Sequence, residues 1–341
     1  MFYLMNMATA LQDLWRHLQR ELFPMLLEEL GEMGEKDRQF VSVVALLPIG
    51  RFVHRYDWMG WGRPPHERAW IIHAFVAKSV YGFIFNESLI DALKARPVLR
   101  RLCGWDSASD IPSAATFSRA FAQFSADELP QRIHEAMIKQ HCGPKLVGHI
   151  SRDATAIQAP ERPAPKAAET AETAQPAPRR KPGRPKKGEV RPPKPPTKLE
   201  QQVGRTLAHN LADLPRQCDV GCKTDSKGYK TWWRGYKLHL DVIDGDIPVS
   251  AVLTSASLHD SQAAIPLAQM TTQRVKACYE LMDSAYDAEC IRTFVEGLGH
   301  VPIIEPKQRE GFIPLDPAER QRFGQRSASE RVNSRLKESF G

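Results

Sequence analysis

The stretch GHISRDATAI, residues 148–157, decides how the chain is read. It has the character of a short β-strand with one acid, Asp153, near its middle. Before it lies a polar, helix-rich region. After it comes a basic, proline-rich insert, and then a run of strands and helices carrying two more well-placed acids. A single acid on a single strand is ordinarily a solvated surface charge. What gives Asp153 another meaning is the rest of the chain.

At 341 residues the chain is long enough for two domains, each with its own core. A hydrophobic content of 42% and a charged content of 26% fit a globular protein. The net charge of +7 points to a polyanionic partner, although acids are plentiful too, so the placement of the charge carries more weight than its sum. No run of 18 apolar residues is present, so no transmembrane helix is expected. The first 22 residues lack the basic start, apolar core and small-residue cleavage site of a signal peptide. Six scattered cysteines fit free thiols in a reducing cytoplasm, and a cytoplasmic, nucleoid-associated location follows as the expectation.

Leu11, Leu14, Leu18, Leu22 and Met25 recur three or four apart and predict a packing helix over residues 8–35. Several more short helices are expected over 67–145, with Trp70, Ile71, Ala74, Phe75, Ala77 and Val80 on a buried face. Ser113 is a candidate N-cap for a helix running to Phe124, and Ser125 to Glu128 has the spacing of a capping box for the next helix. Helices joined near residues 110–113 would make a helix-turn-helix with Ser118 and Arg119 turned toward DNA, although most helix pairs bind nothing.

Residues 160–198 hold 11 of the 26 prolines and no aromatic residue, a composition that predicts disorder. Within it Arg179, Arg180, Lys181, Pro182, Gly183, Arg184, Pro185, Lys186 and Lys187 resemble an AT-hook, whose Gly-Arg-Pro core enters the narrow minor groove of A/T-rich DNA. Pro182 stands where the usual motif has its first arginine, so a basic linker meeting phosphates without sequence preference is the equal alternative.

Beyond the insert, residues 234–242 (RGYKLHLDV) and 248–254 (PVSAVLT) alternate as strands around the turn Asp244, Gly245, Asp246. Asp260 is placed to cap a helix over 261–270. Residues 278–284 and 301–304 read as strands, 288–298 as a helix ending at Gly299, and 320–340 as one helix to the end. Strands and helices in that order fit a mixed sheet flanked by helices. Asp283 ends the apolar strand YELM, where α/β folds place their chemistry. Phe323, Arg326, Glu330 and Lys337 are spaced three, four and seven apart, which puts them on one helical face. An acid so flanked suits a metal site whose cations meet phosphate; the plain alternative is an exposed helix laced with ion pairs. Lys237, His239, His259 and Asp260 are further polar residues near the expected site, and Cys218 with Cys222 is a loose zinc-like spacing. Asp287 and Glu338 are rivals to Asp283 and Glu330.

The spacing Tyr-x2-Arg-x3-Glu-x6-Lys marks one side of a family that this chain resembles: the DDE transposases of bacterial insertion sequences, of the IS4, IS5 and IS1182 groups. Here it stands as Phe323, Arg326, Glu330 and Lys337, with Phe for Tyr. ISRDATAI, RGYKLHLDV, LHDS at 258–261 and LMDSAYD around Asp283 resemble the same family, and RRLCGW and IPSAATFSRAF resemble its N-terminal domain. The resemblance implies an α/β fold with a ribonuclease H-like mixed sheet flanked by helices (146–341), preceded by an all-α DNA-binding domain (1–145) and interrupted by the insert at about 158–200. It implies Asp153, Asp283 and Glu330 as catalytic metal ligands for two Mg²⁺ or Mn²⁺ ions roughly 3.5–4 Å apart. Arg180, Lys181, Arg184, Lys186, Lys187, Arg326, Lys337 and Arg119 are the expected DNA contacts. The partners implied are double-stranded terminal inverted repeats, target DNA and a second copy of the chain, with no membrane. The reaction implied is cleavage at the element's ends and transfer of 3′-hydroxyl ends into target DNA. Relatives usually run on past the Glu330 motif, so a frayed final helix and a DNA-binding relic, or a nuclease that cuts without joining, stay open.

Overall fold

The computed structural model describes residues 33–57, 60, 64–163, 195–224, 228–307 and 313–340. By backbone contacts the chain divides into two compact units, Met1–His141 with Leu336–Gly341, and Cys142–Arg335. The helix expected over 8–35 and the basic core at 179–187 lie outside the described residues.

The first unit is all-α: α1 (Glu35–Leu46), α2 (Arg68–Tyr81), α3 (Asn86–Ala95), α4 (Pro97–Cys103), α5 (Ala114–Ala126) and α6 (Leu129–His141). Apolar residues at helical spacing converge on one core. Ile71, Leu89, Leu93, Leu99 and Phe117 are fully buried, and Phe75 sits edge-on to Phe117 and Phe124. Gly104 ends α4 at φ +118°, and a Cβ there would come within 2.4 Å of the Trp70 ring, so only glycine fits. The capping box expected at Ser125 does not form. Helix α5 runs on through Ala126, and Glu128, at φ 51°, makes the turn before α6. Asp127 is drawn instead to the Tyr56 hydroxyl (2.8 Å) and Arg55 (3.1 Å). Ser113 does occupy the N-cap of α5, but its hydroxyl pairs with Thr116 Oγ1 (3.2 Å) in place of a backbone amide.

The second unit is a six-stranded mixed sheet with helices packed on it. Its elements are β1 (Leu146–Gln158), α7 (Lys198–Val203), α8 (Leu207–Ala212), β2 (Asp219–Thr224), β3 (Lys230–Ile243), β4 (Ile247–Ser255), α9 (Ser261–Thr272), β5 (Lys276–Met282), α10 (Glu289–Gly297), β6 (Val301–Ile304), α11 (Pro317–Phe323) and α12 (Ser327–Phe340), whose last residues belong to the first unit. The strands run in the order β2-β3-β1-β5-β6, with β4 also paired to β3. The β1–β3, β2–β3 and β3–β4 pairs are antiparallel; β1–β5 and β5–β6 are parallel. This is the ribonuclease H-like arrangement. The β3–β4 hairpin turns through Gly245 (φ +85°) and Asp246 (φ 61°), the left-handed pair a tight hairpin needs.

The single helix expected over 320–340 is broken. A 3₁₀ turn at Gly324–Arg326 separates α11 from α12, so Phe323 and Arg326 precede the helix that carries Glu330 and Lys337. Asp260 holds the N-cap position of α9 but caps nothing with its side chain. Strand β2 and helices α7 and α8 were not foreseen. No single described helix is long and apolar enough to cross a membrane; α2 and α3 together reach that composition but are bent by 100°.

Candidate active site

The register of β1 sets the site. Arg152 pairs with Met282, the last residue of parallel β5, so the residues that follow this pair are Asp153 on β1 and Asp283 at the end of β5. Asp283 is the first residue past β5, and its Oδ1 accepts the Ala285 amide (2.9 Å). Strand ends of this kind open onto the crevice where such sheets bind ligands.

Helix α12 is fastened to β1 beside Asp153. The Ser151 hydroxyl lies 2.7 Å from the Arg326 carbonyl oxygen and 2.8 Å from the Ser329 hydroxyl. The Asn333 amide donates to Asp153 Oδ2 (3.0 Å). Arg326 stands between two acids: one guanidinium nitrogen is 3.9 Å from Asp153 Oδ1, and another donates to Glu330 Oε1. Glu330 thus reaches Asp153 through Arg326, and its side chain is 57% exposed. Among the described residues no three His, Cys, Asp or Glu side chains are grouped closely enough to hold a metal ion.

The electrostatics mark the two aspartates as costly. Burial pushes the Asp153 carboxyl above its ordinary range; the Ala154 amide and Arg326 pull it back, and Asp283 pushes it up again. Burial likewise raises Asp283, with Asp260 adding repulsion against the Ala285 amide and Arg326. The Tyr286 hydroxyl is buried beside these acids with no hydrogen-bond partner, and its pKa is driven well up, first by burial and then by Asp260, Asp153 and Asp283. The groups gathered here, two buried carboxyls and a buried hydroxyl without a partner, carry oxygen alone, the donor atom that hard cations take.

The remaining candidates fall in separate places. Lys237 on β3 holds Asp260 (2.8 Å) and the Leu258 carbonyl oxygen (2.7 Å). His239 is fully buried against Thr254 Oγ1 (2.9 Å), and burial depresses its pKa to about 4. Asp287 is bound to Arg292 (3.0 Å) and the Lys307 amide (3.0 Å), which, against its partial burial, hold it below the usual range. Cys218 donates to the Glu161 carbonyl oxygen (3.6 Å), while Cys222 on β2 is exposed. Arg119 on α5 and Lys337 on α12 are exposed. Arg180, Lys181, Arg184, Lys186 and Lys187 lie outside the described residues.

Sequence reading missed the support under the site. Arg152, next to Asp153, is fully buried and grips both Asp241 oxygens (2.8 Å each) and Glu280 (3.0 Å). Glu280 also takes His300 (2.8 Å), and Asp241 takes the Thr271 hydroxyl (2.6 Å). No local pattern announces such partners, the nearest of which is 89 residues away along the chain.

Comparison with known families agrees with this architecture. A transposase domain family, DUF772, matches residues 28–123, and the transposase DDE domain family matches residues 193–341, which include Asp283 and Glu330. The chain belongs to the insertion-sequence DDE transposases. It is a transposase, its substrates are DNA, and the enzymes of this family use divalent metal ions. Neither the curated proteins nor the solved structures supply a match.

Proposed function

We propose that the second unit cuts DNA at the ends of an insertion sequence and transfers the resulting 3′-hydroxyl ends into target DNA, with Asp153, Asp283 and Glu330 as its catalytic acids. The observation that carries this is the β1–β5 register, in which Arg152 pairs with Met282, so that Asp153 on β1 and Asp283 just past the end of β5 follow the same pair. Their raised pKa values fit it, because two buried acids side by side are retained at a cost that an active site would explain.

Asp153 and Asp283 would hold Mg²⁺ or Mn²⁺, as a pair of ions, and Glu330 would join them on leaving Arg326. When bound, such ions activate the attacking oxygen and stabilise the leaving one. The protein's own part is positioning. Asn333 fixes one oxygen of Asp153, leaving its Oδ1 edge turned to Arg326. Arg326, once released by its acids, supplies a cation to the scissile phosphate. The helical unit with Arg119, and the basic insert, would bind the terminal repeats, and two copies would bring the two ends together.

The test is incubation of the full chain with pre-nicked terminal-repeat DNA, a target plasmid and Mg²⁺. Joined products are expected from the wild type, and neither cut nor joined products from Asp153→Asn or Asp283→Asn, with DNA binding intact. Unchanged cleavage in either variant removes that residue from the site. Cut-only products from the wild type assign a nuclease; binding without product assigns a relic.

A further inference from the structure

Strand β3 does two jobs. From Tyr236 to Ile243 it is an interior strand, between β1 and β4. Strand β1 ends at Gln158, opposite Gly235; just past it Ala159 still meets Arg234, its amide donating to the Arg234 carbonyl oxygen (3.0 Å) and its carbonyl oxygen accepting from Arg234 Nε (3.4 Å), while among the described residues the ladder of β3 before Gly235 is made with β2. The two strands therefore leave the sheet as a ribbon. Gly235 is the point of departure: its φ is +142°, and a Cβ there would come within 2.2 Å of the Ile157 carbonyl oxygen.

A two-stranded ribbon is marginal by itself, and this one spends its aromatics unevenly. Trp233 anchors it. That ring packs over Gly221, its indole nitrogen donates to the Tyr236 carbonyl oxygen (3.0 Å), and the Lys237 ammonium lies 5.8 Å from the ring centre. Its neighbour Trp232 is 63% exposed, and Tyr229 is 70% exposed. Strand alternation puts Lys230, Trp232 and Arg234 on one face, with each cation about 6.6 Å from the tryptophan position. Residues 219–235 hold four Lys or Arg against two Asp. The opposite face carries Lys223, whose charge is felt at both Asp153 and Asp283. Lys223 thus marks the ribbon face whose charge the two acids feel, and the cation, aromatic, cation stripe occupies the other, outward face. That is how proteins hold single-stranded nucleic acid: phosphates on the cations and a base stacked on the ring.

We propose that this ribbon captures the unpaired DNA strand next to the cut, with one base stacked on Trp232 and the flanking phosphates on Lys230 and Arg234. The proposal rests on the reading of Asp153 and Asp283 as the cutting site only for where the strand lies; the stacking itself does not need it. The experiment is fluorescence anisotropy of the full chain with labelled oligothymidine and with a blunt duplex, over a range of salt. Trp232→Ala should weaken oligothymidine binding roughly 5- to 150-fold, with the duplex much less affected. Trp232→Phe should recover most of the loss. The Lys230→Ala, Arg234→Ala pair should lower the salt slope for oligothymidine by roughly 0.7 per phosphate contact. Wild-type oligothymidine affinity in Trp232→Ala overturns the proposal. So does unchanged affinity with a dimer dissociating in sedimentation, which would make the ribbon an interface between copies. Asp153→Asn run in parallel separates the two readings. Wild-type cleavage in that variant removes the catalytic assignment and leaves the stacking result standing, while lost cleavage with normal Trp232→Ala binding does the reverse.

Discussion

Arg152 and Asp153 are neighbours on one strand, and both are charges taken out of water. Arg152 meets a full complement: Asp241, Glu280 and, through Glu280, His300, all inside the sheet. Asp153 has the Asn333 side-chain amide, the Ala154 backbone amide and a guanidinium 3.9 Å away, with a second raised acid beside it. The first arrangement fixes a structure. The second leaves burial ahead of the groups that offset it, so both acids stay above their ordinary range. The difference separates a charge that builds the strand from a charge that the strand presents.

The largest effect should come from the filled side. Arg152→Met leaves Asp241 and Glu280 buried without their cation and is expected to cost about 3–5 kcal/mol of stability, measured by denaturant unfolding. A loss under about 1 kcal/mol would mean that the two halves of the strand are not different in kind. On the presented side the sign reverses. Asp283→Asn should raise the melting temperature of the metal-free protein, because burial holds that carboxyl above its ordinary 3.8. A melting temperature that falls would show the acid to be compensated after all.

The same comparison has a pH signature. A carboxyl whose folded pKa is raised contributes stability that is full below about 3.8 and is lost as pH climbs through the raised value. The metal-free wild type should therefore lose stability, relative to the Asp153→Asn, Asp283→Asn double variant, as pH rises above about 4. A difference that stays constant with pH would cancel the burial argument. Deleting residues 176–198, which hold nine Lys or Arg and one acid, should flatten the salt dependence of duplex binding by several phosphate contacts, read from log affinity against log salt. The smallest effect belongs to the rim. Arg331 and Arg335 both reach Asp246 at the β3–β4 turn, half or more exposed, so Arg331→Ala should cost no more than about 1 kcal/mol.

How much of this was legible in the sequence follows the range of the forces involved. Strands β1, β3, β4 and β6 stood out because alternation and the Asp-Gly-Asp turn are local signals; the structure extends the first three by one to four residues at an end and keeps β6 at Val301–Ile304. Asp283 could be placed at a strand end because the apolar run YELM stops there. The unbroken helix over 320–340 was misread because the spacing from Phe323 to Lys337 keeps helical period while Gly324 lets the chain tighten into a 3₁₀ turn. Strand β2 was missed because DVGCKT is largely polar and exposed, as befits half of a ribbon outside the core. Asp260 looked like a cap, but Lys237, 23 residues away, competes for its carboxylate and wins. The Arg152 network and the Asn333 contact with Asp153 depend on strand register and helix docking, which no window of residues encodes.

The central claim is that Asp153 and Asp283 together form a cation site. The most direct measurement is Mn²⁺ binding to the full chain by isothermal titration, for the wild type and for Asp153→Asn, Asp283→Asn and their double variant, without DNA. Saturable binding by the wild type that each single variant weakens and the double variant abolishes is the predicted result. Binding that survives intact in the double variant would contradict it.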